Sequence, residues 1–338
     1  MALVFFGDLC YNQERKLKTN EDNQMYYIIL NPASKSGQGI SLWKKLEPIL
    51  ADRQISYRLL LSQYAGHVAR LVTEIMEKHP SEKPVNLILL GGDGTLNEAL
   101  QGVSDFSRIH IGYIPTGSSN DFARDLELPQ APEEILERIL ANEQAQELRL
   151  LDIGVLDYDV DAETRRRYFA VSSGIGFDAA VCQEALASKL KNLLNRLHLG
   201  KLTYVGIALK QLIKAKRVSC DLTLDGEKKI HFDRFLFIAS MLHQYEGGGF
   251  KFCPGADATD GIFDLCTAGA ISKPKILVAL PTAFKGDHFK FREIERFAAS
   301  EIDITTSAPL WVHTDGEVPC KTTHLHISCL KEQLRMLV

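Results

Sequence analysis

Through its first half the chain alternates short apolar runs with polar, glycine-bearing segments and amphipathic stretches. Tyr26 to Leu30, Tyr57 to Leu61, 85 to 90 and Ile109 to Ile114 read as strands. Leu87, Ile88, Leu89 and Leu90 form an unbroken run, the pattern of a strand buried on both faces of a parallel sheet. Helical spacing fills the intervals, from about Ile40, over Gly66 to Lys78, over 95 to 103 and over Ala131 to Leu140. This alternation predicts a doubly wound α/β domain. After Glu147 the pattern changes to short alternating segments: Leu148 to Val155, Arg167 to Ser172, Cys220 to Leu224, Ile230 to Ser240 and Ile262 to Ala268. These predict an antiparallel β-sandwich with helical insertions. The expected division is an α/β domain over 25–145 and a β-sandwich domain over 146–338, whose last strand returns to the first domain. Residues 1–24 lack periodicity and read as a flexible leader.

The polar segments that follow the strands carry the chemistry. Gly91, Gly92, Asp93, Gly94 and Thr95 join an apolar strand to a helix, and Thr95 with Glu98 has capping-box spacing, which predicts a helix starting at Thr95. Such a turn points backbone N–H groups and the positive end of a helix dipole at one place, a phosphate site. A carboxylate about 4 Å from a phosphate oxygen is repelled by roughly 4 kcal/mol at an effective dielectric near 20 unless a cation intervenes. Asp93 therefore suggests a metal–nucleotide complex, although an Asx turn explains the same residue. Two further strands end in similar loops. Asn31, Pro32, Ala33, Ser34, Lys35, Ser36, Gly37, Gln38 and Gly39 follow the first. Pro115 to Arg124 follow the last, with Ser118 and Asp121 repeating the capping-box spacing. Three polar loops at strand C-terminal ends describe a ligand crevice in an open α/β sheet.

Asn31-Pro32 with its Ser/Gly loop, Gly91 to Glu98, and Gly117 to Arg124 resemble the three nucleotide-site motifs of the diacylglycerol kinase catalytic domain. That superfamily includes bacterial soluble lipid kinases and the sphingosine and ceramide kinases. The likeness continues through Gly247-Gly248-Gly249, Pro254-Gly255-Ala256 with Asp260 to Asp264, and Asp315-Gly316-Glu317, and so covers Tyr26 to the end. Two positions depart from the family pattern while keeping the hydroxyl: Ser118 and Ser62 stand where threonine is usual. The resemblance implies ATP on Asn31, Ser62, Gly91, Gly92, Asp93, Gly94, Thr95, Asn97, Ser118, Asn120 and Asp121. It implies Asp93 and Asp121 as carboxylates of a Mg²⁺ and water network, and Asp315 as general base oriented by Glu317, with Asp93 as the rival base. It further implies a structural Mg²⁺ at Asp257, Asp260 and Ile262. Asp315-Gly316 and Asp260-Gly261 are equally turn signals, so both readings stand for each.

The expected activity is an ATP- and Mg²⁺-dependent lipid kinase acting in the cleft between the two domains. Diacylglycerol is the first acceptor, giving phosphatidic acid. The alternatives are an NAD kinase-like phosphotransferase and a non-catalytic nucleotide-binding protein of the membrane surface. Composition narrows the setting. Of the 338 residues, 45% are hydrophobic and 24% charged, as in ordinary globular proteins. Seven cysteines without a Cys-x-x-Cys pair argue against a disulfide framework or a zinc site and for a reducing compartment. No apolar run reaches the ~18 residues of a membrane span. These observations predict a cytoplasmic protein, peripheral at the inner membrane face.

Between Glu184 and Asp221 lie eight basic residues and no acidic one, on a chain whose formal net charge is −4. The basic residues are Lys189, Lys191, Arg196, Lys201, Lys210, Lys214, Lys216 and Arg217, with leucines at helical spacing among them. This 185–218 island suggests contact with an anionic bilayer, while a solvated helical face is the plain alternative. Sparse aromatics argue against nucleic acid. The resemblance also implies a homodimer. His324 and His326 alternate along a strand as surface positions, and His313 is a strand histidine close to Asp315.

Overall fold

The computed structural model describes residues 12–15, 25–32, 34–37, 39–79, 83–161, 163–187, 206–207, 210–212, 215 and 217–338. It divides into two compact units. Unit 1 takes the N-terminal residues to Gly117, Pro129–Arg149 and Arg335–Val338; unit 2 takes Ser118–Leu128 and Leu150–Leu334. The expected boundary near 145 thus falls at 149, and the loop after the fourth parallel strand is assigned with the sandwich.

Unit 1 begins with strand β1 (Asn12–Arg15), which pairs antiparallel with β3 (Tyr57–Leu61). This corrects the reading of 1–24 as leader throughout. An edge strand offers a row of unpaired backbone groups, and pairing with them requires no hydrophobic period. Next to β3 come β2 (Tyr26–Leu30), β4 (Val85–Gly91) and β5 (Ile109–Pro115), all parallel. β4 is buried along its whole length, as its apolar run requires. Because β3 and β4 flank β2 on opposite sides, the chain reverses direction across the sheet at β2, the place where open α/β sheets bind ligands.

The helices of unit 1 are α1 (Ser34–Gly37), α2 (Gly39–Asp52), α3 (His67–Lys78) and α4 (Asp93–Gln101). After α5 (Asp121–Asp125), which belongs to unit 2, comes α6 (Pro132–Ala145). Two capping expectations are corrected. α4 starts at Asp93 rather than Thr95, and the Glu98 carboxylate accepts from Val68 N, 3.2 Å away at the start of α3, so it caps a neighbouring helix. α5 is preceded by Asn120 in the left-handed region (φ 51°), a conformation asparagine tolerates, and not by a Ser118 cap.

Unit 2 is antiparallel. β6 (Arg149–Val160) and β7 (Glu163–Phe169) form a ribbon, and β8 (Ser172–Gly176) leads into α7 (Phe177–Ala187). β9 (Val218–Leu224), β10 (Lys228–Phe235), β11 (Phe237–Met241) and β12 (Phe263–Ala268) follow, then α8 (Lys273–Thr282), β13 (Ile294–Ala299), β14 (Glu301–Thr314) and β15 (Glu317–Met336). The central order is β14, β8, β11, β12, β13, and β8 and β11 are buried at every position. The expected single strand over Ile230 to Ser240 is two, divided at Leu236. The last residues of β15 return to unit 1, where Met336 pairs in parallel with Ile111 of β5.

Most of the 185–218 island lies outside the described residues. Within them, Lys210 pairs with Glu184, and the Arg217 guanidinium donates to the carbonyls of Gly269 and Ile271, so both charges are engaged by unit 2 itself. Among the described residues no helix is long and apolar enough to cross a membrane.

One buried carboxylate fastens the end of the sandwich. Asp152 is fully enclosed and accepts from Gly261 N at 2.7 Å and Glu332 N at 2.8 Å, joining β6, the turn before β12 and β15. Removing it leaves two part-buried backbone donors without their acceptor. Asp152→Ala is expected to lower stability by roughly 2–4 kcal/mol, measurable by urea unfolding; an unchanged midpoint would show that the clasp contributes nothing.

Candidate functional site

In unit 1 the sheet register brings the loops together. Leu30 pairs with both Leu61 and Leu90, and Gly91 pairs with Pro115, so four parallel strands end at one level. The backbone continues that alignment for one more residue: Ser62 N donates to Leu30 O, Asn31 N to Leu90 O and Thr116 N to Gly91 O. Asn31, Ser62, Gly91 and Gly92 therefore share one edge. Side chains then tie the loops to one another. Asn31 Nδ2 donates to Thr95 Oγ1 at 3.4 Å, Thr116 Oγ1 to Ser34 Oγ at 2.9 Å, and the Tyr113 hydroxyl to Asp93 Oδ1 at 3.3 Å. Asn97 is buried one turn further along α4.

Gly92 shows why this edge is glycine-rich. Its φ of −96° suits any residue, so backbone freedom is not the reason. A Cβ there would lie 3.0 Å from Gly117 Cα, in the crevice between two loops. The two backbones approach closely above the N-terminus of α4, where main-chain N–H groups and the helix dipole favour an anion.

The remaining expected residues lie in unit 2, each in a defined role. Asp121 and Asp125, one turn apart on α5, grip the segment 243–249. Asp121 is nine-tenths or more buried, pairs with Arg124 and accepts from Gly248 N at 2.7 Å; Asp125 pairs with buried His243 at 2.7 Å. Burial pushes the Asp121 carboxyl above its ordinary proton affinity, and the donors of Gly248, Arg124 and Gly249 oppose it. This is the geometry of an anchor, with one oxygen on a guanidinium and one on an amide. Ser118 and Asn120 lead into the same helix.

Asp315 and Gly316 have φ of 50° and 83°, the pattern of a tight hairpin turn between β14 and β15. The Asp315 carboxylate accepts from Ala170, Val171 and Ser172 N at 3.0, 2.8 and 3.0 Å and so fixes the β7–β8 corner. Glu317 opens β15. At the third expected place, Asp257 Oδ1 accepts from Thr259 N and Oγ1, and Asp260 Oδ1 from Ile262 N. These bonds shape the turn that carries the three residues. His324 and His326 pair with Asp159 and Asp303 on the surface.

Sequence reasoning did not find the cavity of unit 2. It has a volume of about 110 Å³ and apolar walls that include Phe177, Val181, Phe237, Phe250 and Ile276, with Asp178 and Glu246 among its few polar groups. Phe250 stacks on Phe284 with centroids 4.0 Å apart. Glu246 is held in place by paired backbone bonds with Phe250, and the enclosed Gly247, Gly248 and Gly249 all have positive φ, from 66° to 106°. Buried His313 points Nε2 at Asp178 (3.2 Å) and Glu246 (3.4 Å). Burial raises Glu246 to about 7, against the opposing pull of His313. For His313 burial acts downward, but the charges of Glu246 and Asp178 outweigh it and lift the imidazole above the usual histidine range. The one signal in the sequence was Glu246 immediately before the glycine triad.

Residues 25–153 match the family model described as the diacylglycerol kinase catalytic domain, and residues 170–338 match a C-terminal NAD kinase beta sandwich-like domain named for YegS. A diacylglycerol kinase of Mycobacterium tuberculosis is 30% identical over 234 residues, covering 69% of this chain and 71% of that protein. A diacylglycerol kinase of Bacillus subtilis is 28% identical over 323 residues, covering 92% and 98%. Among solved structures, a diacylglycerol kinase of Bacillus anthracis superposes with a TM-score of 0.67 at 23% identity, covering 94% of this chain and 98% of that one. Yeast NADH kinase shares the fold at a TM-score of 0.51 and 8% identity, covering 96% and 88%.

The Gly92–Gly117 approach yields a direct test. Gly92→Ala is expected to weaken binding of a fluorescent ATP analogue at least tenfold, about 1.4 kcal/mol, while leaving the thermal midpoint within a few degrees. Unchanged affinity would show that the crevice takes no phosphate.

Proposed function

Because this chain belongs to the diacylglycerol kinase catalytic-domain family, we propose that it transfers the γ-phosphoryl group of ATP to a lipid hydroxyl, with diacylglycerol as the first acceptor. The observation that carries this reading is the shared edge of unit 1, where three loops converge and a Cβ on Gly92 would crowd Gly117 at 3.0 Å. Asn31, Ser62, Thr95 and the first turn of α4 would hold the nucleotide phosphates. Asp93, kept in position by Tyr113, would hold Mg²⁺. When bound, the ion neutralises charge on the phosphates. The residues of the chain supply position: hydroxyl and amide donors orient the phosphates, and α4 adds its dipole at low reorganisation cost.

The acceptor class is supported by the apolar cavity of unit 2. Its walls suit hydrocarbon, and each buried methylene contributes about 0.8 kcal/mol. A dinucleotide acceptor, as in the NAD kinase-like alternative, carries a charged pyrophosphate and two polar riboses and gains less from such walls. The lipid would be taken from a membrane surface, with the protein bound peripherally.

Incubation of the protein with γ-labelled ATP, Mg²⁺ and mixed-lipid vesicles is expected to place label in the organic phase, with phosphatidic acid among the products. Chelation of Mg²⁺ should abolish it. Label confined to a soluble dinucleotide would replace this reading with the NAD kinase-like one, and absence of any labelled product would leave a nucleotide binder.

A further inference from the structure

A surface helix turns one apolar face inward and a polar face to water, and α8 departs from that pattern. Ile276, Ala279 and Leu280, with Ala283 just beyond the helix, recur at helical spacing and line the apolar cavity of unit 2. The opposite face reads Pro274, Leu277, Val278 and Pro281 at the same spacing, and all four are exposed. Leu277 is 44% exposed, Val278 63% and Phe284, in the turn that follows, 36%. Both faces of the helix are therefore apolar, and only one of them is covered by the chain itself. Large apolar side chains exposed together in this way mark a contact surface.

The rim of this face is basic. From Lys273 to Glu293 the chain carries five basic residues against Asp287 and Glu293, an excess of three on a protein whose formal net charge is −4. Lys275 pairs with Glu293 and Lys290 with Asp287, each at 2.7 Å, so both acids are matched. Arg292 lies 3.7 Å from Glu293 with a side chain that is 91% exposed. Lys273 and Lys285 stand at the two ends of the face, four residues before Leu277 and four after Pro281, and both are exposed. The loop that enters α8 is anchored by Arg217, whose guanidinium donates to the carbonyls of Gly269 and Ile271.

We propose that the outer face of α8 docks on an anionic phospholipid bilayer, with Leu277, Val278 and Phe284 entering the interface and Lys273 and Lys285 meeting headgroup phosphates. This choice of occupant rests on the lipid kinase reading given above, whose acceptor lies in a membrane. Interfacial binding grows with the apolar area buried and with the attraction of basic side chains to anionic lipids, and the face supplies both. The ten residues of α8 span about 15 Å, too short to cross a bilayer, so the contact stays at its surface. A second copy of the chain suits the face less well, because about a two-fold axis the basic rim meets itself.

The two faces of α8 connect the bilayer to the cavity. Residues that enter the interface and residues that wall the cavity belong to one helix, so a docked bilayer lies about one helix diameter, roughly 10 Å, from the apolar interior. Phe284 joins the two directly, since its ring stacks on Phe250 of the cavity wall. An acyl chain that leaves the bilayer at this place exchanges one apolar surrounding for another without meeting bulk water.

The test is sedimentation of the full-length protein with phosphatidylcholine vesicles that carry phosphatidylglycerol. The double substitution Leu277→Ser, Val278→Ser is expected to lower partitioning at least tenfold, about 1.4 kcal/mol, with the thermal midpoint unmoved because both side chains are exposed. Lys273→Gln and Lys285→Gln should each lower it about fivefold, and only when phosphatidylglycerol is present. Should the serine pair not fold, the two lysine variants decide. Wild-type protein that stays in the supernatant, or variants that partition as it does, overturn the proposal. So does a wild-type dimer that the serine pair splits while vesicle binding persists, which would give the face to a second copy. With γ-labelled ATP, the serine pair should lose activity toward diacylglycerol in vesicles and keep it toward a dispersed short-chain diacylglycerol. Vesicle binding that depends on these residues, without label in any lipid, supports the docking face and overturns the kinase reading alone.

Discussion

A carboxylate removed from water must be matched by donors or give up its charge, and this constraint organises unit 2. Asp152 clasps β6, the turn before β12 and β15; Asp315 clasps the β7–β8 corner to the β14–β15 hairpin; Asp121 and Asp125 clasp α5 to the segment that ends in the glycine triad. Each replaces backbone hydrogen bonds that irregular corners cannot make with a neighbouring strand. The chain has thus placed acidic residues where its antiparallel ladders stop. Against that background, Asp178 and Glu246 differ in that both line an apolar cavity and turn an oxygen to the same imidazole, His313.

Unit 1 is organised by register. The parallel strands end level with one another, so loops distant in sequence begin at the same height and their first backbone groups bond across to the adjacent strand. Side-chain bonds such as Asn31 to Thr95 and Thr116 to Ser34 then tie the loops to one another. An edge made in this way depends on main-chain geometry, which explains why glycine, rather than any charged residue, is the most informative residue in it.

What the sequence disclosed follows from these two designs. Buried parallel strands must be apolar throughout, so β2, β3, β4 and β5 were legible as runs, and their loops stood out by contrast. β1 was not, because an edge strand can be recruited through its backbone alone. The Thr95–Glu98 spacing misled because the same glutamate could reach a neighbouring helix, a choice made by tertiary proximity. The motifs marked Asp121 and Asp315 without disclosing that their oxygens serve the backbone. The group of Asp178, Glu246 and His313 was invisible as a group: its members come from a helix, a loop and a strand, and nothing in their spacing joins them.

The strand β15 carries a consequence for synthesis. Its last residues supply unit 1 with the pairing of Met336 to Ile111, the bond from Leu337 N to Ile111 O and the contact of Val338 with Asn142. Translation proceeds from the other end, so the first unit to emerge from the ribosome must wait, with one edge of β5 uncovered, until residues 335–338 have been made. Unit 2 is complete at residue 334, four residues earlier, so neither unit has its full set of strands until this last segment is made, and the sheet of unit 1, although begun first, is finished no sooner than the sandwich.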